Sequence, residues 1–157
     1  MSTIAFLGGT RTVTGSRFLF ETNGGTRVLV DCGLYQGPKE LRKRNWADFP
    51  VPPSSIDAVL LTHAHVDHSG WLPRLADQGF TGRIHATPGT AALTRIVLPD
   101  SGHLHEEEAA FANRRGYSRH EPALPLYTEK AARASLELLD EVPFATTVEV
   151  AAGVRAT

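Results

Sequence analysis

The stretch His63-Ala64-His65-Val66-Asp67-His68 decides how this chain is read. It packs three imidazoles and a carboxylate into one short run, giving nitrogen and oxygen donors suited to zinc or a similar divalent ion. His63 and His65 are two residues apart, so on extended backbone their side chains fall on the same side and can chelate one ion. Asp67 and His68 come where the chain turns toward the next element and can aim at a neighbouring point. Just upstream, Ile56-Asp57-Ala58-Val59-Leu60-Leu61-Thr62 reads as a strand that runs straight into the motif. That places the motif at the lip of a sheet, where α/β proteins build their sites. Just downstream, residues 69–78 read as a helix, with Trp71, Leu72 and Leu75 able to share a face and Gly79 as the stop.

Further out, the pattern stays consistent. Ile4-Ala5-Phe6-Leu7, Arg17-Phe18-Leu19-Phe20-Glu21 and Arg27-Val28-Leu29-Val30 are strand-like, and Asn23-Gly24-Gly25 is a hairpin signal between the last two. The first and third are apolar on both sides, as expected of strands covered on both faces. Residues 34–55 are loop-like, with a short helix through 39–46. Arg83-Ile84-His85-Ala86 is a short strand. Residues 88–115 are helix-forming with Pro99 as a kink or break, residues 129–139 are helical, and Thr147-Val148-Glu149-Val150 is a last strand. The closing Val154-Arg155-Ala156-Thr157 reads as a strand interrupted in mid-course. Strands first and helices interleaved afterwards give an α/β fold.

Composition narrows the class. At 157 residues the chain suits one domain, able to bury roughly 70% of its unfolded surface. A net charge of −1 gives no global attraction for nucleic acid or anionic membrane, although Arg42-Lys43-Arg44 and Arg114-Arg115 are local basic clusters. A single cysteine, Cys32, excludes an intrachain disulfide and a thiolate metal cluster, and it reads as a buried small apolar residue. The N-terminus has no signal-peptide pattern and no run is long and apolar enough to span a membrane, so the expectation is a cytoplasmic protein with no membrane partner.

The His-x-His-x-Asp-His run after an apolar strand resembles the signature of the metallo-β-lactamase superfamily. The resemblance implies that His63 and His65 bind one zinc, and Asp67 and His68 the second. Asp31, at the end of Leu29-Val30-Asp31-Cys32-Gly33, matches the family's first motif, with the implied role of fixing the ligands by hydrogen bonding. Asp67 and Asp31 are thus the implied catalytic carboxylates. The segments Phe6-Leu7-Gly8-Gly9-Thr10, Val13-Thr14-Gly15-Ser16 and Asp31-Cys32-Gly33-Leu34-Tyr35-Gln36-Gly37 resemble the opening of the β-CASP branch, the RNA-processing nucleases. Tyr117-Ser118 through Pro125-Leu126-Tyr127 also fits that branch.

The fold implied is the N-terminal portion of an αββα sandwich, with residues 1–157 a partial domain cut before its second half. A third histidine in a Gly-His-x-x-Gly-Ser context would come soon after Thr157, with a bridging aspartate and a last histidine later. Each ion then has two matched ligands here, whereas a catalytic zinc has three protein ligands plus water. The expectation is an RNA-cleaving phosphodiesterase using two zinc ions, or manganese, with this chain inactive alone. The rivals are another hydrolase of the fold, acting on lactones, thioesters or β-lactams, and a non-catalytic fragment with a partial metal site. An unfinished sheet also implies a partner chain, or self-association, over the open face. Gly102-His103-Leu104-His105 contains the only Gly-His pair, on a helical stretch ahead of Glu106-Glu107-Glu108, and is the one alternative source of a third ligand. His85 and His120 read as structural or solvated.

Overall fold

The computed structural model describes residues 1–116 and 121–157; Tyr117, Ser118 and His120 of the sequence reading lie outside the described residues. Six strands form one sheet in chain order: β1 (Thr3–Gly8), β2 (Arg17–Glu21), β3 (Arg27–Val30), β4 (Ala58–Leu60), β5 (Arg83–Ala86) and β6 (Leu139–Glu141). The first three pair antiparallel, joined between β2 and β3 by the Asn23-Gly24-Gly25 turn. From β3 to β6 the pairing is parallel, so each step needs a crossover. Those crossovers carry α1 (Lys39–Arg42), α2 (Val66–Ser69), α3 (Leu72–Asp77), the long α4 (Pro88–Arg115) and α5 (Glu129–Ser135).

The helices cover one face of the sheet. Leu19, Leu29, Val59 and Ile84 point from the strands into a core with Trp71, Leu72, Leu75, Leu98 and Ala132. The alternate residues Val28 and Ala58 point the other way and meet Val150. That contact comes from a separate hairpin, β7 (Val148–Ala151) and β8 (Val154–Ala156), laid over the sheet's second face. β3 is therefore buried on both sides, as its apolar run requires.

β1 corrects the sequence reading. It is the edge strand, and Ile4 and Phe6 are 60% and 66% exposed, because the hairpin covers β3 and β4 and stops short of it. The helix expected over 69–78 is two shorter pieces. Pro73 has no N–H to donate to Ser69, so the ladder breaks there and α2 starts earlier, inside the histidine motif. The helix expected over 129–139 stops at Ser135, passes through a 3-10 turn and becomes β6. Parallel pairing with β5 recruits that segment, and no local pattern announces it. α4 runs through Pro99 without a break.

Candidate metal centre

The motif sits at the C-terminal ends of the parallel strands. β4 ends at Leu60, His63 and His65 follow on non-helical backbone, and Asp67 and His68 lie in the single turn of α2. Asp31 reaches the same place from the end of β3, where its own N–H donates to the Leu60 carbonyl at 2.9 Å. Asp31 has φ +59°, a left-handed conformation that aspartate tolerates better than most residues.

Asp31 is 2% exposed and its carboxylate is fully engaged. It accepts from the Thr62 N–H at 2.9 Å, the Thr62 hydroxyl at 2.9 and 3.0 Å, and the Ser16 hydroxyl at 3.2 Å. His68 Nδ1 lies 2.7 Å from Asp31 Oδ2. Against a carboxylate acceptor Nδ1 is the protonated nitrogen, so Nε2 of a neutral ring keeps its lone pair. His68 Nε2 faces Asp67 Oδ2 at 3.6 Å. His63 Nε2 lies 3.2 Å from His65 Nδ1, and the His63 and His68 ring centroids are 3.9 Å apart. Thr62 had no role in the sequence reading, and Ser16 stood only within the Val13-Thr14-Gly15-Ser16 segment, with no link to Asp31. A hydroxyl before the motif is too common to signal that it holds a remote aspartate.

The donor set fits metal in pairs. Two nitrogens bound to one tetrahedral zinc, each at about 2.0–2.1 Å, stand about 3.3 Å apart. The His63–His65 separation of 3.2 Å matches that, and the Asp67–His68 separation of 3.6 Å is slightly wider. Among the described residues no group of three or more such side chains is arranged to hold an ion by itself. The His63 pKa is lowered, first by burial of the ring and then by His68 and His65, which favours the neutral ring that a metal needs.

The remaining histidines lie elsewhere. His103 is on the exposed side of α4, 3.6 Å from Glu107. His105 packs edge-on against the Tyr127 ring and burial lowers its pKa. His85 is buried on β5, with Nε2 3.3 Å from the Val150 carbonyl of the hairpin. Cys32 is wholly buried and its thiol is pushed up to about 12, mainly by burial, so it stays protonated. No helix among the described residues is long and apolar enough to cross a membrane.

The family model described as the metallo-beta-lactamase superfamily matches residues 12–147. A ribonuclease of Thermus thermophilus is 51% identical over 94 residues, covering 60% of this chain and 21% of that protein. Transcription termination factor FttA of Cenarchaeum symbiosum is 31% identical over 153 residues, covering 95% of this chain and 21% of its own length. The cleavage and polyadenylation specificity factor subunit 3-I of Arabidopsis thaliana is 31% identical over 93 residues, 59% of this chain and 13% of that one. Among solved structures, the SMB-1 metallo-beta-lactamase, in complex with mercaptoacetic acid, superposes with a TM-score of 0.51 at 17% identity. The match covers 95% of this chain and 47% of that structure, and shows likeness of fold. The chain spans about a fifth or less of the length of these curated relatives.

Proposed function

This chain belongs to the metallo-beta-lactamase superfamily, and from that membership we propose that it carries four ligands of a two-metal centre in an RNA-cleaving hydrolase of the β-CASP kind. His63 and His65 would hold one ion, Asp67 and His68 the other, with zinc the expected metal and manganese the alternative. The observation that carries the reading is the pair of donor pairs, with Asp31 fastening His68 so that Nε2 is turned toward Asp67.

Held by His63, His65, Asp67 and His68, a metal pair would supply Lewis-acid activation of water and charge stabilisation for phosphodiester hydrolysis. The chain's own residues do the arranging. Thr62 and Ser16 hold the Asp31 carboxylate, Asp31 holds the His68 Nδ1 proton, and burial, with His68 and His65 nearby, lowers the His63 pKa and so favours the neutral ring. RNA is supported as substrate by the Thr14-Gly15-Ser16 and Asp31-Cys32-Gly33 segments and by relatives named as a ribonuclease and a cleavage factor. With a net charge of −1, attraction for RNA would come from local phosphate contacts rather than a global field.

With two ligands for each ion, these 157 residues alone should bind zinc weakly and cleave RNA negligibly. The test pairs this chain with a chimera in which it replaces the matching segment of the Thermus ribonuclease. Zinc titration and cleavage of a short RNA are followed in both, with and without His63→Ala. Cleavage by the chimera, abolished by His63→Ala, is expected. Cleavage that survives the substitution would overturn the assignment.

A further inference from the structure

Arg17, the first residue of β2, is 3% exposed. Its guanidinium spends two donors on one acceptor, the Gly33 carbonyl, from Nε at 3.0 Å and Nη2 at 2.8 Å. Three rings surround the charge. Trp71, Tyr35 and Phe49 have centroids 4.7, 5.3 and 5.6 Å from Cζ. A buried cation pays heavily in lost hydration, and aromatic faces plus a carbonyl are what offset the loss here. The box is itself fixed: Trp71 Nε1 donates to the Asn45 carbonyl, and Asn45 exchanges two hydrogen bonds with the Tyr35 backbone.

Gly33 passes this anchorage directly to the motif. A Cβ there would fall 1.6 Å from the Asp67 carbonyl oxygen and 2.7 Å from the His68 nitrogen, so the bare backbone of the loop lies against the ligand turn. Backbone hydrogen bonds stitch the two together. Cys32 N–H donates to His68, Leu34 N–H to Val66, Ser16 N–H to Asp67, and Trp71 N–H back to Cys32, all between 2.7 and 2.9 Å. One side chain therefore pulls on the carbonyl of the residue that touches both Asp67 and His68, two residues after Asp31.

We propose that Arg17 is a positioning residue of the metal centre: boxed by Trp71, Tyr35 and Phe49, it pins the Gly33 carbonyl and thereby sets Asp31 against His68 and fixes where Asp67 and His68 point. The proposal rests on the metal reading for its functional meaning, but the clamp itself is built from contacts among this chain's own residues. An arginine that merely filled the core would loosen the whole sheet when removed. A clamp loosens one place.

The experiment compares Arg17→Gln with Leu19→Ala, a core truncation two residues along the same strand, in the full 157-residue chain. The first readout is the proton resonance of His68 Nδ1–H, which reports its hydrogen bond to Asp31. The second is amide exchange, in which Arg17→Gln should speed Cys32 and Leu34 about tenfold more than Leu61, which donates to His85 between the parallel strands. The His68 resonance is expected to be lost or shifted in Arg17→Gln and kept in Leu19→Ala. Should Arg17→Gln fail to fold, Arg17→Lys, which keeps the charge but not the two-donor fork on the Gly33 carbonyl, is read instead and should show a smaller shift in the same direction. A His68 signature unchanged by the folded Arg17 variant, or lost equally in Leu19→Ala, would overturn the proposal. Zinc titration of the chimera with the Thermus ribonuclease separates the two claims. A chimera that binds no zinc, beside an Arg17-dependent His68 signature in the 157-residue chain, leaves the clamp standing and removes the metal assignment.

Discussion

The two faces of the six-stranded sheet are finished to different degrees. On the helix side, Trp71, Leu29, Val59 and Leu75 are fully buried, and the floor of the metal centre is packed until Gly33 has no room for a methyl group. On the other side, the β7–β8 hairpin covers Val28 and Ala58, while Ile4 and Phe6 of β1 stand open beside Phe18 and Phe20 of β2. A cavity of about 400 Å³ also opens between hairpin and sheet, lined by Leu60, Thr62, His85, Phe144 and Val150 among others. The close packing beneath the ligand-bearing turn, at Trp71 and Gly33, lies on the helix side.

The contrast breaks most sharply at aromatic side chains. Trp71→Ala empties a fully buried site and leaves the Asn45 carbonyl without its donor, so a loss of roughly 3–5 kcal/mol is expected in urea unfolding. Phe6→Ala, on the open face, should cost under about 1 kcal/mol. Equal losses would mean that the open face is packed in solution.

Glycines sharpen the comparison at one atom. Gly33→Ala drives a methyl into the Asp67 carbonyl and should cost about 3 kcal/mol or more, with loss of the His68–Asp31 signature. Gly24→Ala, whose nearest neighbour is the Thr22 hydroxyl at 3.7 Å, should stay within about 0.5 kcal/mol by the same measurement.

The open face should show itself in association rather than in stability. Apolar patches of more than a few hundred Å² are unusual on monomers. The double change Ile4→Ser and Phe6→Ser should raise the monomer fraction in sedimentation while moving Tm by only about 2 °C. A parent chain that is already monomeric at high concentration would show that the face needs no cover.

The smallest effect is in pH. Burial lowers the His105 pKa, so below the ordinary value of 6.5 the unfolded chain takes up a proton that the folded chain resists. Stability from this group is present above that pH and lost as pH falls through the lower folded value. The His105 Nε2 atom has no hydrogen-bond partner among the described residues, so a protonated ring has nothing to donate to there. His105→Gln should flatten the acid limb of a Tm-against-pH curve slightly, and an unchanged limb would mean that the ring is solvated.

Much of the site could be read before the fold was seen, because its signal is local. His63, His65, Asp67 and His68 are adjacent in sequence, so spacing grouped them, and Asp31, at the end of an apolar strand of its own, was joined to them by the family resemblance. The supporting residues were not legible. Thr62 and Arg17 are ordinary residue types at ordinary positions, Ser16 belongs to a segment that says nothing of Asp31, and the roles of all three exist only once Asp31 and Gly33 arrive from elsewhere. The same holds for β6, whose strand character comes from pairing with β5.

Which donors of the His63–His68 run lie together, and that an α/β sheet would present them, followed from alternation, strand ends and motif spacing, which act over a few residues. The buried cation boxed by three rings that grips the loop beneath the motif, and the open face of β1, emerge only in the folded chain. Both depend on contacts between segments distant in the chain, and such contacts are set by which surfaces close over which, not by the local run of residues.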